Sequence, residues 1–217
     1  TLLIAFISGM AITAMEISAS RLLAPYFGTS IFVWTNVIGT VLIALSIGYY
    51  YGGKLSEKNP PFEYLYKIIL VAGLLSALTP LLIKILILLL SFTGHFLTIP
   101  IFIIFGSFVF SIILFGAPLM LLGMMSPFLI KLSILHQNNT GDISGKIFAI
   151  STIGSIFGTF LPTFFLIPLL GTKMTIILFS VILIILANFG LKSRKYLIIS
   201  IIAILILIIF ATDLPKQ

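Results

Sequence analysis

Long apolar runs recur along the whole chain and restrict its fold more than any other feature. Each of them approaches the roughly 20-residue length that an α-helix needs to cross the hydrocarbon core of a bilayer. Only 8% of the 217 residues are charged, whereas charged residues make up about 25% of an ordinary soluble domain. The sequence therefore predicts an all-α, polytopic integral membrane bundle with the lipid bilayer as its surroundings.

The predicted spans form a single transmembrane domain over residues 1–217. Their approximate bounds are 2–20, 31–52, 65–90, 100–122, 144–168, 173–191 and 196–212. The fourth span continues through "GAPLMLLGMMSPFLIKL", where Gly and Pro interrupt a helix that would otherwise be too long. A break or re-entrant turn is expected near residues 125–127, and a membrane tolerates such a break where it is buried in protein or lines a cavity.

Basic residues are divided unequally between the two sides of the predicted bundle. One side receives Lys54, Lys58, Lys67, Lys131, Lys146, Lys192, Arg194 and Lys195. The other side receives Arg21, Lys173 and Lys216, and Lys84 is ambiguous near the end of the third span. Because short cytoplasmic loops carry an excess of Lys and Arg, we expect a plasma-membrane protein with its N-terminus inside and its C-terminus outside. The net charge of +7 is then a signal of orientation, and nucleic acid is not an expected partner.

Spans one to three show a weak similarity to spans four to six. The segment "GMAITAMEISASRLL" can be set against "LLGMMSPFLIKLSIL", pairing Arg21 with Lys131, and the following segments pair Gly39 with Gly154. A repeat of three spans reverses its direction in the membrane. The sequence thus admits two inverted three-helix halves plus a seventh helix, an architecture known in transporters.

Small residues recur at helical spacing in three of the spans. Since lipid gives helices no hydrophobic reason to associate, small faces that admit close backbone contact are the usual seams of membrane bundles. A ligand path along the same faces is the alternative. The predicted helix-packing residues are Gly9, Gly48, Gly52, Ser151, Gly154 and Gly158.

Glu16 is the most unusual residue of the first span. It lies roughly 22 Å along that helix at 1.5 Å per residue, in the outer leaflet but short of bulk water. An acidic side chain costs about 2.5–3.5 kcal/mol at the bilayer centre, so a partner is expected. Arg21 lies about 140° around an ideal helix, a poor angle for a pair unless the chain folds back, and Lys84 is the alternative partner. Glu16 is either a structural ion pair or hydrogen-bonded carboxyl, or a cation or proton site facing an outward cavity.

Other side chains offer fewer possibilities for chemistry. Trp34 belongs to an interfacial aromatic belt or lines an entrance, and Pro127 is a candidate for the broken-helix part of a site. His95 and His136 fall in different predicted loops, and the chain has no Cys. Neither a metal site nor a cofactor is therefore predicted.

Two long motifs resemble a known family. "EISASRLLAPYFGTSIFVWTNVIGTVLIALSIGYYYGGKLSE" and "GMMSPFLIKL" followed by "GDISGKIFAISTIGSIFGTFLPTFFLIPLLGT" are similar to the membrane domain of membrane-bound spermidine synthase-like proteins, often named fused MFS/spermidine synthase. The resemblance covers about residues 8–53 and 116–172. Full-length members carry a soluble aminopropyltransferase-like domain after the spans. This chain shows no Gly-rich strand-to-helix turn for its cofactor, so no enzyme activity is expected of these residues.

Two functional hypotheses follow from the sequence. The first is a non-enzymatic membrane module of this family that assembles with other membrane subunits or a separate soluble enzyme. The alternative is a transporter of a small molecule or a polyamine-like cation, with Glu16 in the binding site and residues 127 and 154–158 in its broken-helix half. An intramembrane enzyme is disfavoured because no paired acids, His cluster or Ser–His–Asp set lies at membrane depth.

Overall fold

The fold is all-helical in the computed structural model, which describes residues 1–58, 61–91, 101–134, 140–191, 196–202 and 204. No strand occurs within these ranges. The long helices are α1 Leu2–Phe27, α2 Ile31–Ser56, α3 Phe62–Ser91, α4 Ile103–Ile134, α5 Thr140–Leu170 and α6 Thr172–Gly190. The predicted all-α membrane bundle is confirmed, because these six helices are long and apolar enough to cross a membrane.

Some predicted features fall partly or wholly outside the described residues. Of the seventh predicted span, 196–212, residues 196–202 are helical. The rest of that span lies outside the description, apart from residue 204. His95, His136, Lys192, Arg194, Lys195 and Lys216 also lie outside it.

The helix α1 extends well beyond the predicted end of the first span. It continues past Arg21 and Pro25 to Phe27, because Ser18 and Ser20 are buried inside the bundle and do not mark an exit. The helix ends at Gly28, whose φ of 79° and ψ of −179° belong to a region that essentially only glycine occupies. Two residues, Thr29 and Ser30, separate Gly28 from the start of α2. The stretch from Arg21 to Phe27, predicted to lie beyond the first span, is therefore the last part of a continuous helix.

The helix α4 is irregular from its start to Met124. Two π-helical turns, Phe102–Gly106 and Ile112–Gly116, precede a single non-helical residue, Met124. The chain then resumes its helix at Met125 and continues in the same element to Ile134. The expected interruption thus lies at Met124 and is not a re-entrant turn, and Pro127 lies in the first turn of the segment that follows.

The helices α1 and α5 are parallel and pack against each other along a seam of small residues. A Cβ at Gly154 would overlap the carbonyl of Phe6, and one at Gly158 would overlap the carbonyl of Met10. Gly9 in turn packs against the backbone of Ser151. Two hydrogen bonds cross the same seam. The Thr13 hydroxyl donates to the Ser155 carbonyl at 2.9 Å, and the Ser155 hydroxyl donates to the Gly9 carbonyl at 3.2 Å.

The helices α2 and α4 form a second parallel seam of the same design. Gly48 packs against the carbonyl of Met120, and Gly52 packs against the backbone of Met124. Gly123 packs against Leu45. The seam positions 6, 9 and 10 of α1 have the same spacing as 120, 123 and 124 of α4, and 151, 154 and 158 of α5 have the same spacing as 45, 48 and 52 of α2.

The contacts between helices are those expected of two equivalent three-helix halves. The most extensive pairs are α1 with α5, α2 with α4, and α3 with α6. In a two-fold repeat α1 is equivalent to α4, α2 to α5 and α3 to α6. Replacing each helix by its equivalent converts the first pair into the second and leaves the third unchanged. The end of α1 lies beside the start of α4, where the rings of Phe27 and Phe110 are 5.2 Å apart. The two halves therefore run in opposite directions.

The register of this repeat differs from the predicted one. Gly39 was matched with Gly154, but a Cβ at Gly39 would have no neighbour within 4 Å, and Gly48 occupies the place equivalent to Gly154. Gly39 and Gly48 each follow an isoleucine, as Gly154 does, so the local sequence does not distinguish them. In the observed register position 131 is equivalent to 17, so the predicted pairing of Arg21 with Lys131 is also wrong.

Candidate functional site

A cavity opens beyond the end of the α1–α5 seam. Its volume is about 270 Å³, and it lies between the last turns of α1, the start of α2 and the end of α5. Its lining residues are Ile17, Arg21, Trp34, Thr163, Ile167 and Pro168. By the distribution of basic residues, this end of the bundle is the predicted outer side.

The local sequence of α5 explains where the cavity begins. The seam of small residues ends at Gly158, and the π-helical turn Pro162–Leu166 follows directly. Proline has no backbone N–H, so it cannot continue the regular helical hydrogen bonding, and a π-turn accommodates the change. Beyond this turn α5 presents Ile167 and Pro168 in place of glycine. Side chains of that size leave room between α1 and α5 that the seam does not have.

Arg21 is the charged residue of the cavity. Its side chain is exposed, and in the described part of the chain it forms no ion pair and no hydrogen bond. The ion pairs that do form there are Lys67–Glu63 at 3.1 Å and Lys146–Asp142 at 2.7 Å. Both join residues four apart on one exposed helix face at the other end of the bundle. The Arg21 guanidinium therefore faces the cavity without a carboxylate.

Glu16 and Arg21 are not brought together. Because α1 stays helical through both residues, they remain about 140° apart around the axis, and the fold-back considered from the sequence does not occur. Glu16 is partly buried and does not line the cavity. Among the described residues its carboxylate has no ion-pair or hydrogen-bond partner.

Lys84 does not act as the counter-charge of Glu16 either. It is exposed on α3, and its positive charge repels that of Lys173 at the start of α6. No salt bridge joins it to Glu16 within the ranges described. Arg21, Lys84 and Lys173 thus give the predicted outer end several cations.

Trp34 lines the cavity, in agreement with one of its two predicted roles. Its side chain is 37% exposed, and its indole N–H has no hydrogen-bond partner among the described residues. Asn36, considered from the sequence as a neighbour for the indole, is engaged elsewhere. Its amide donates to the Ile104 carbonyl at 2.7 Å and to the Ser107 hydroxyl at 2.8 Å, which ties α2 to α4.

The remaining predicted residues divide between the seams and the interior. Gly9, Ser151, Gly154 and Gly158 lie in the α1–α5 seam, and Gly48 and Gly52 lie in the α2–α4 seam. Pro127 is partly buried in α4 and does not line the cavity. The contributions of α5 to the cavity were not predicted. The "LPTFFLIP" stretch could have indicated them, because its two prolines interrupt the helix just past the glycine seam.

The cavity combines one strong donor with an apolar wall. The guanidinium of Arg21 and the indole of Trp34 supply N–H groups, and Ile17, Ile167 and Pro168 supply apolar surface. Thr163 donates its hydroxyl to the Thr159 carbonyl at 2.7 Å, so its oxygen presents only lone pairs to the cavity. Within the described ranges, no group of three or more His, Cys, Asp and Glu residues could hold a metal ion.

Comparison of the chain with protein-family models, curated proteins and solved structures gives no match. The resemblance to spermidine synthase-like membrane proteins is thus a prediction from the two motifs. The case for a function rests on the geometry of the helices and the cavity.

Proposed function

We propose that this chain is the transmembrane module of a small-molecule transporter in the plasma membrane, with its N-terminus in the cytoplasm. The observation that supports this function is the pair of matching glycine seams, which relates α1–α3 to α4–α6 in opposite directions. Many transporters are built from inverted repeats, and they bind their substrates at the interface between the repeats.

The seams indicate which parts of the bundle move together. Backbone-to-backbone contact at Gly154 and Gly158 joins α1 to α5, and the same contact at Gly48 and Gly52 joins α2 to α4. Glycine seams of this kind leave no space for a sliding side chain, so each pair acts as one rigid body. Alternating access then takes the form of rocking between the two pairs.

A cross-linking experiment tests this division. The native chain has no Cys, so two cysteines can be introduced without a background. Replacing Phe27 and Phe110 places one cysteine on each pair at a contact between them, where the ring centroids are 5.2 Å apart. Replacing Phe6 and Phe157 places both cysteines within the α1–α5 pair, where the centroids are 5.7 Å apart, and this variant is the matched control.

Uptake into proteoliposomes is measured before and after a short bifunctional thiol reagent is added. The solute panel includes polyamines, carboxylates and organic phosphates. We expect saturable uptake of at least one class, lost after cross-linking between the pairs and retained after cross-linking within α1–α5. Absence of saturable uptake for the whole panel, or equal loss in both variants, contradicts the proposal.

A second candidate function is the assembly module predicted from the sequence. The observation that favours it is the low coverage of α5, of which 17% of the most apolar window is buried, against 50–56% for α1, α3, α4 and α6. Aromatic side chains, including Phe148, Phe157 and Phe164, are exposed on this helix. A second membrane subunit would cover them. Purification in a mild detergent followed by mass measurement tests this function, and a monodisperse single chain counts against it.

A further inference from the structure

The outer cavity has the chemistry of an anion site. We propose that it binds a phosphate or carboxylate group carried on an apolar molecule. The inference concerns binding alone and does not depend on transport. Three properties of the cavity support it: the charge, the apolar wall and the position at the end of the bundle.

The charge comes from Arg21. A guanidinium offers several N–H donors in a planar fork that matches the oxygens of a carboxylate or a phosphate. None of the other five lining residues is ionisable, and the described residues supply no acidic partner to Arg21. A cation at the edge of a bilayer is costly without a partner, so an incoming anion that pairs with Arg21 is stabilised there.

Two further features favour negative charge in the same place. The cavity lies at the N-terminal end of α2, a helix of 26 residues whose first turn carries Trp34. Helix dipoles place partial positive charge at that end. The indole N–H of Trp34 adds a donor that no described residue accepts from. Lys84 and Lys173 raise the positive potential of the same side of the bundle, which disfavours a polyamine-like cation.

The apolar wall selects the remainder of the ligand. Ile17 lies one turn before Arg21 on α1, and Ile167 and Pro168 line the same space from α5. The volume of about 270 Å³ is just below the range for small-molecule sites. Such a volume holds a headgroup, whereas a long apolar chain must leave the cavity. The neighbouring Phe164 and Phe165 of α5 are exposed, at 63% and 58%, and offer an apolar surface along which a chain can lie.

The native chain contains a direct reporter of binding. Trp34 is the only tryptophan and lines the cavity, so its fluorescence reports on changes at this end of the bundle. The purified chain in a neutral maltoside detergent is titrated with octyl phosphate, short-chain phosphatidylglycerol, short-chain phosphatidylcholine and inorganic phosphate. Octyl phosphate represents a free amphiphilic anion, and phosphatidylglycerol represents a lipid headgroup.

We expect a saturable change in fluorescence with octyl phosphate, with phosphatidylglycerol or with both, and none with phosphatidylcholine. The responding ligand identifies the source of the anion. Arg21→Gln weakens this binding roughly ten- to a hundredfold, as expected when a charge-assisted hydrogen bond is lost. Arg21→Lys, which keeps the charge but loses the planar fork, gives an intermediate affinity.

Lys173→Gln is the matched control, because it removes a cation from the same end of the bundle but outside the cavity. We expect it to bind like the unaltered chain. The proposal is overturned if no anionic ligand saturates, if phosphatidylcholine produces the same response, or if Arg21→Gln binds as the native chain does. Equal weakening by Lys173→Gln also overturns it, since the effect would then be one of general surface charge. Inorganic phosphate binding as tightly as octyl phosphate contradicts the role of the apolar wall.

Discussion

Gly158 is the residue at which the α1–α5 seam is tightest. A Cβ there would overlap the Met10 carbonyl and the Thr13 hydroxyl at once. Neither group can withdraw easily, because the carbonyl belongs to the α1 backbone and the hydroxyl is hydrogen-bonded to Ser155. A single methyl group must therefore push the two helices apart.

Replacing Gly158 with Ala is expected to destabilise the bundle by about 1–3 kcal/mol, the usual cost of overpacking a well-packed interior. Thermal unfolding of the purified protein in detergent measures the change. Gly39→Ala is the control, because a Cβ at that helical position would have no neighbour within 4 Å. Its expected effect is neutral or stabilising by up to about 1 kcal/mol, from the better helix propensity of alanine. Equal melting temperatures for the two variants would contradict the seam.

Of the six residues that line the cavity, two were candidates from the sequence. Arg21 was a candidate because it could pair with Glu16, and Trp34 was a candidate because it lies near a span end and its indole N–H needs a partner. Thr163, Ile167 and Pro168 were not candidates, because they are ordinary residues in an apolar run. Their role depends on which face of α5 meets α1, and that is set by tertiary packing. Glu16 was a candidate because an acidic side chain is costly in lipid. The cavity, however, lies on a neighbouring face of its helix.

At the scale of elements, the joint between α1 and α2 depends on one backbone conformation. Gly28 has φ 79° and ψ −179°, and its N–H donates to the Ala24 carbonyl at 2.9 Å. No atom lies within 4 Å of the position that a Cβ would take. The constraint is therefore in the backbone itself and not in crowding. The same kind of conformation occurs at Gly171, with φ 84°, where α5 meets α6.

Gly28→Ala is expected to cost roughly 1–3 kcal/mol from backbone strain alone. The variant should melt at a lower temperature and should alter the emission of Trp34, which lies one turn into α2. Gly53→Ala serves as the comparison, because its Cβ would also meet nothing within 4 Å but its backbone is helical. Should both variants melt together, the α1–α2 joint tolerates other conformations and the argument from φ fails.

The existence of these elements could be predicted, but their ends could not. Length and apolarity were enough for six membrane helices, because the thickness of a bilayer imposes the same minimum on each. The first span was predicted to end at residue 20, whereas α1 continues to Phe27 with Ser18 and Ser20 buried in the bundle. The repeat register was wrong for a related reason. Two Ile-Gly pairs occur in α2, and only packing distinguishes the one that lies in a seam.

At the scale of the whole molecule, the distribution of basic residues predicts the orientation in the membrane. Thr29 lies in the joint between α1 and α2, and Lys58 follows the end of α2 on the opposite side of the bundle. Both are exposed. The excess of Lys and Arg on the side of Lys58 predicts that this side faces the cytoplasm.

Single cysteines at these two positions test the assignment in a chain that has no cysteine of its own. In intact cells, a membrane-impermeant maleimide is expected to label Thr29→Cys and to leave Lys58→Cys unlabelled. Permeabilised cells should label both, which controls for access to the thiol. The reverse pattern would place the N-terminus outside and would turn the Arg21 cavity toward the cytoplasm.

The α1–α5 seam also determines how long α1 waits for its packing partner during synthesis. The hydrogen bond from Thr13 to Ser155 spans 142 positions, so the first helix enters the membrane long before the ribosome has produced its partner. At about 5–20 residues per second, that interval is roughly 7–28 s. During this time α1 holds its glycine face and its unpaired glutamate in the lipid or against the insertion machinery. The helix α1 therefore reaches its neighbour α5 only after about 142 further residues have been synthesised.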